Sequence, residues 1–289
     1  REGAAKHGAK VALADYVRPS PAGTKWGLGG TCVNVGCIPK KLMHYAALLG
    51  ELRTDQVGAG WNVDPKGKHS WETMQQKVGN HIKVNHLILC SMLILIKGLN
   101  WGYKSQMIEK GVKYFNRFGY LEDAHTVRVT IQQRDIPHSL IALDPKTKKE
   151  EKKTAKYVVI AVGGRPNFPD IPGAKEYGIS SDDIFWMDKN PGKTLCVGAS
   201  YVSLVTYSLL CVINLISLSG IAGFLTGIGN DVTVMVRSIL LRGFDQECAN
   251  RIGKYMQETG TKFVHAVPEK VEKLESGRKL VHWKDEKVY

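Results

Sequence analysis

The chain is short of negative charge. Lys and Arg number 40 against 27 Asp and Glu, for a formal net charge of +13. An excess that basic points to anionic partners: nucleic acid, a phosphorylated cofactor or an acidic protein surface. Cysteine is scarce too, with six in 289 residues, too few for a disulfide scaffold at this length. Neither an aromatic stacking platform nor a recognition motif accompanies the basic charge, so a nucleic-acid binder ranks last. The first eight residues lack an initiator Met, an apolar stretch and a small-residue cleavage site, so we do not expect them to be a signal peptide. Apolar residues make up 43% of the chain, with 30 Gly and 11 Pro. That composition excludes a disordered chain, a collagen and a coiled coil.

What is present is an alternation of short apolar runs and glycine-rich turns. Residues 1–8 read as the tail of a helix with Gly8 as its C-cap. Residues 11–15 read as a buried strand ending in Asp15. An acid there hydrogen-bonds a ribose hydroxyl in dinucleotide-binding folds; the alternative is a surface acid ending a strand. Residues 40–52 carry the spacing of a helix, with Pro39 in its first turn. Residues 107–165 are strand-rich, including 126–130 and a buried run at 157–162 that ends in Gly163-Gly164-Arg165-Pro166. Lysines 146–156 fall at a hairpin turn, as a solvated loop. After a Pro/Gly linker at 169–173, Thr194-Leu195-Cys196-Val197-Gly198 runs into Gly198-Ala199-Ser200-Tyr201-Val202-Ser203. This is a phosphate-binding turn that keeps only the first glycine. Residues 231–236 form the next strand. An NAD site places an acid at its end, whereas this chain has Arg237, Ser238 and Arg242. Guanidinium groups suit a 2′-phosphate, so the pattern favours NADPH over NADH; the alternative is a solvated basic loop. The chain stops at Lys287-Val288-Tyr289 in a strand pattern, so we expect it to begin and end inside domains.

Two apolar stretches stand apart, about 84–97 and 205–220. No charge occurs between Lys193 and Asp231. The separation of Gly198 from Arg237 is about twice the usual ~20 residues. Three readings compete: a membrane anchor, a buried insertion, or translated intron. The third is favoured, because both stretches begin at Val (GT codons) and the flanking patterns close up without them.

Cys32 and Cys37 enclose Val33-Asn34-Val35-Gly36 and precede Pro39-Lys40-Lys41. On an ideal helix, residues five apart lie about 140° around the axis, so a bond between them needs an irregular turn. A thiol beside a helix N-terminus has its thiolate favoured by unpaired N–H groups. The readings are a cycling disulfide, two structural thiols, or half a zinc site. Zinc is the poorest, since no second Cys/His pair stands at suitable spacing.

The segment from Trp26 to His44 (WGLGGTCVNVGCIPKKLMH) closely resembles the redox-active segment of animal-type, large thioredoxin reductases, which are pyridine nucleotide-disulfide oxidoreductases. The likeness continues at Leu99-Asn100-Trp101-Gly102-Tyr103, at Ile179-Ser180-Ser181-Asp182-Asp183, at 198–202 and, most closely, at 231–246. The resemblance implies an α/β fold of two Rossmann-like, glutathione-reductase-type dinucleotide-binding domains, both incomplete. Residues 1–178 would form an FAD-binding domain lacking its first βα unit, and 179–289 a C-terminally truncated NADPH-binding domain. Electrons would pass from NADPH to FAD, to the Cys pair, to a redox tail on the partner subunit, and on to thioredoxin. Cys32 would be the interchange thiol, Cys37 the thiol at the flavin, and Lys40 would lie near flavin N5. Asp15, Tyr16, Thr31, Gly36, Gly119, Gly163 and Arg165 would hold FAD. Gly198, Ala199, Ser200, Tyr201 and Val202, with Arg237, Ser238 and Arg242, would hold NADPH, and Tyr201 would cover the flavin until nicotinamide displaces it. The resemblance further implies a cytoplasmic protein, with a mitochondrial form left open, that binds neither membrane nor nucleic acid; the family is homodimeric, but the dimerisation domain is absent here. A non-catalytic fragment that at most binds nucleotide is the rival expectation.

Overall fold

In the computed structural model, which describes residues 2–76, 92–130, 151–199 and 220–285, most of these apolar runs become strands. The chain divides into two compact units. The first takes Arg1–Asn34 and Ile96–Arg165; the second takes Val35–Leu95 and Pro166–Tyr289.

In the first unit, α1 (Glu2–Lys6) ends where the sequence places its cap. Gly8 adopts φ 81°, with Gly8 N–H bonding Ala5 O at 3.0 Å and Ala9 N–H bonding Ala4 O at 3.1 Å. This is a Schellman closure, which a left-handed glycine allows. β1 (Ala12–Ala14) pairs in parallel with β2 (Lys113–Phe115), Leu13 opposite Tyr114. β3 (Phe118–Leu121), β4 (Thr126–Thr130) and β5 (Glu151–Thr154) form an antiparallel sheet in that order. The β4–β5 pairing fits the expected hairpin, although Lys152 and Lys153 lie within β5 itself; residues 131–150 fall outside the described ones. Leu28, Met107 and Val112 form a buried cluster, with Leu13, Tyr103 and Tyr114 packed against it. Met107 comes from α5 (Met92–Glu109), whose first residues belong to the apolar stretch at 84–97. Ile96 in that stretch is fully buried.

The run 157–162 departs from expectation. It forms no strand, and Tyr157, Val159 and Val162 are 79%, 86% and 89% exposed. An apolar β-branched run acquires strand structure only when another strand offers its edge. Among the described residues, 156–163 make no backbone hydrogen bond.

The second unit holds a four-stranded sheet in the order β6-β7-β8-β9. β6 (Thr194–Val197), β7 (Val232–Val236) and β8 (Lys262–Lys273) run parallel, and β9 (Lys279–Asp285) closes antiparallel on β8. α3 (Cys37–Gly58), α4 (Trp71–Gln76), α6 (Ala174–Tyr177), α7 (Ser181–Ile184), α8 (Ile221–Gly227) and α9 (Gln246–Glu258) complete it. The chain order β6, α8, β7, α9, β8 is that of a mononucleotide-binding half. Its central strand β7 is buried on both sides, with Val232, Val234 and Val236 fully covered. α7 starts with a capping box, in which Asp182 N–H donates to Ser180 Oγ and Ser180 N–H donates to Asp183 Oδ2. α8 packs on α3 so tightly that a Cβ on Gly227 would stand 2.7 Å from Ala47 Cβ. Among the described residues, no helix is long and apolar enough to cross a membrane. All but Gly220 of the stretch 205–220 lies outside them.

Candidate functional site

Two places concentrate the chemistry. The first is the thiol segment. Gly29 and Gly30 adopt φ 123° and 74°, reversing the chain into α2 (Gly30–Val35), which carries Thr31 and Cys32 on its exposed side. Gly36 then breaks the winding with φ −144° and ψ −114°, and α3 begins at Cys37. The irregular junction expected from the spacing is therefore a single residue, and Cys32 sits on a short helix of its own. Cys37 is exposed and is the first residue of a 22-residue helix. Pro39 falls in the first turn, where a missing N–H costs nothing. Lys40, on the same helical face as Cys37, is buried, and Lys41 is exposed.

His44, one turn further along α3, is buried. Burial, helped by the nearby Lys41 ammonium, holds its imidazole below the ordinary value of 6.5. Folding therefore expels a proton that the unfolded chain holds below about pH 6.5. Stability should fall as the pH drops through that value, down to the lower folded-state pKa. His44→Gln should flatten this slope. Urea unfolding at pH 5 and pH 8 checks it: an unchanged slope in the variant would assign the acid sensitivity to other groups.

Around β1 in the first unit, the half-buried Asp15 follows the strand's last residue, its N–H bonded to Phe115 O at 3.0 Å. Tyr16 packs against Phe118 with ring centroids 4.6 Å apart and the rings tilted by 51°, and Arg18 lies over the Phe118 ring. Gly119 is the close approach here: a Cβ on it would stand 3.2 Å from Ala14 Cβ. Gly163 adopts φ 66°, and the exposed Arg165 donates to Arg18 O at 2.9 Å and lies over the Trp26 ring.

The second place is the carboxyl end of the parallel sheet. Gly198 turns at φ 106° directly after β6, its N–H bonded to Met235 O. Ala199 O accepts the N–H of Leu241 at 2.9 Å, tying this turn to the loop after β7. Leu241 is buried with φ 48°, a left-handed conformation that costs a branched residue of order 1 kcal/mol and persists where the surroundings enforce it. On this loop Arg237 and Arg242 are exposed, and Arg242 Nη2 donates to Ser238 Oγ at 2.6 Å. Ser200, Tyr201 and Val202 lie outside the described residues. The donor set of two guanidinium groups and a hydroxyl beside a glycine turn fits a nucleotide phosphate.

The remaining described thiols offer a contrast. The protein packed around Cys196 pushes its thiol up to about 12, although part of the residue meets solvent. The Asp245 carboxylate raises that of Cys248. Sequence reasoning missed Asn34 and Asn100, whose amides hold the Gly27–Gly30 turn, and the Leu241–Ala199 tie. A polar residue between two valines in Val33-Asn34-Val35 was the available signal for the first.

All 289 residues match the family model for pyridine nucleotide-disulphide oxidoreductases, and the chain belongs to that family. It is 50% identical to thioredoxin reductase SEP1 of Emiliania huxleyi over 282 residues, 97% of this chain and 48% of that protein. The fold resembles that of the HOCl-induced flavoprotein disulfide reductase RclA of Escherichia coli, solved as a Cu(II) complex. The TM-score is 0.64 at 18% identity, over 97% of this chain and 49% of that one. The chain thus spans about half the length of the relatives it matches.

Proposed function

We propose that this chain carries the nucleotide-binding and thiol-bearing part of an NADPH-dependent flavoprotein disulfide reductase that acts on thioredoxin. The observation that carries this is the exposed thiols at the α2–α3 junction, in a chain half identical to a thioredoxin reductase. On this reading residues 1–178 serve FAD and 179–289 serve NADPH. Asp15, Tyr16, Thr31, Gly36, Gly119, Gly163 and Arg165 would hold FAD, and Gly119 lets the strands pack closely beside Asp15, since a Cβ on it would stand 3.2 Å from Ala14 Cβ. FAD, when bound, carries two electrons between nicotinamide and disulfide. Arg237, Ser238 and Arg242 hold the 2′-phosphate of NADPH beside Gly198 and Ala199. In balance, NADPH and one proton reduce one disulfide to two thiols and leave NADP⁺. Cys37 would be the thiol next to the flavin, and Lys40 would supply positive charge on the same helical face. Cys32 exchanges with the acceptor disulfide as a thiolate, the form that attacks sulfur.

The full chain, incubated with FAD and freed of excess, should retain the visible absorption band of oxidised flavin. NADPH should bleach that band under anaerobic conditions. A colourless protein would overturn the proposal.

A further inference from the structure

We propose that Asn34 and Asn100 form a positioning device that holds the Cys32 segment; the role rests on reading Cys32 and Cys37 as the redox pair. Two successive left-handed glycines turn the chain at Gly29 and Gly30, and the carbonyls of this turn converge on one side chain. Asn34 Nδ2 donates to Gly27 O at 3.1 Å and Gly30 O at 2.9 Å, with Leu28 O at 3.5 Å. Its Oδ1 accepts the Gly27 N–H at 3.2 Å. The side chain thus pairs with Gly27 as another peptide unit would, and it is completely buried.

Asn100 joins from a distant part of the chain. Its Nδ2 donates to Leu28 O at 2.7 Å and to Asn34 Oδ1 at 3.0 Å, which uses both of its hydrogens. Exchanging O and N on Asn100 would set an oxygen against two acceptor oxygens, so the network itself fixes the amide's orientation. The fit is close: a Cβ on Gly27 would collide with the Asn100 side chain. Cys32 lies two residues before Asn34 on a six-residue helix, a length that does not hold its shape alone. Its backbone is held instead through Asn34 and, across the unit, through Asn100 on α5. The Leu99–Tyr103 motif thereby gains a role in a chain segment remote from the thiols.

Asn100→Asp keeps the shape and replaces the donor with a carboxylate facing two oxygens. Two quantities should be measured on the full chain under native conditions. The first is the rate of iodoacetamide labelling of Cys32 relative to Cys248, an exposed thiol on the other unit, followed by mass spectrometry. The second is the Cys32–Cys37 thiol–disulfide equilibrium against glutathione. Asn100→Asp should raise the labelling ratio severalfold and shift the equilibrium about tenfold towards dithiol, about 30 mV. Asn100→Ala, which removes the donor without adding charge, should shift both in the same direction by less. Met107→Ala weakens the core under the same helix but leaves the amides in place, and should move neither. An unchanged labelling ratio in both Asn100 variants, or an equal shift in Met107→Ala, would overturn the positioning role. A wild-type chain that forms no Cys32–Cys37 disulfide would instead overturn the redox reading, and the labelling ratio would still decide on the amides.

Discussion

Oxidation of the full chain should close one disulfide, between Cys32 and Cys37, and leave the other four cysteines as thiols. An alkylated digest should then contain a peptide covering residues 29–40 that is two hydrogens lighter than its reduced form. The expectation rests on contrast within one molecule. Both members of the pair are exposed, and Cys37 opens a long helix whose first amides lack intrahelical partners. Burial pushes the Cys196 thiol up to about 12, and the Asp245 carboxylate pushes that of Cys248 up from its ordinary value. Since the thiolate is the species that exchanges, these two should react slowly at neutral pH. Cys32→Ser or Cys37→Ser should abolish this disulfide and leave the remaining thiol of the pair open to alkylation. Pairing of Cys37 with any other cysteine on oxidation would overturn the assignment.

The parts of the molecule that local chemistry dictates were legible in the sequence. Gly8 reads as a C-cap because only a left-handed residue closes that helix end. The β6 and β7 runs read as strands because they are apolar, short and bounded by turn residues. The loop carrying Arg237 and Arg242 follows β7 directly, at the strand end where the sequence places it. What was illegible depends on distant partners. Residues 157–162 have the composition of a buried strand, yet composition cannot state whether an edge is offered to them. The bond from Asn100 to Asn34 spans 66 positions, and no periodicity in either segment announces it. Likewise, the contact of Gly227 with Ala47 decides how α8 lies on α3, and neither helix predicts the other.

Replacing Arg237 and Arg242 together with Ala should weaken NADPH binding by a few kcal/mol and leave NADH almost untouched. Hydrogen bonds to a charged group contribute about 1.5–3 kcal/mol each, so two lost partners amount to at least about a hundredfold in affinity. The structure gives reasons to expect the site to be ready before the nucleotide arrives. Arg242 is braced by its bond to Ser238 Oγ, so less of its side-chain freedom remains to be lost on binding. The loop as a whole is tied through Leu241 to Ala199 in the glycine turn. On the proposed reading, this bond would keep the loop of Arg237 and Arg242 next to the turn at Gly198 and Ala199. NADH lacks the 2′-phosphate and meets only the turn, and its affinity should not register the loss. Leu241→Gly would give a separate signature. The left-handed backbone would no longer be strained, but the buried side chain that anchors the loop would be gone. Both nucleotides should then bind more weakly, since the turn and the loop lose their common tether. Isothermal titration of each variant with NADPH and NADH reads these patterns directly. Equal losses for both nucleotides in the Arg237/Arg242 double variant would remove those two residues from 2′-phosphate recognition.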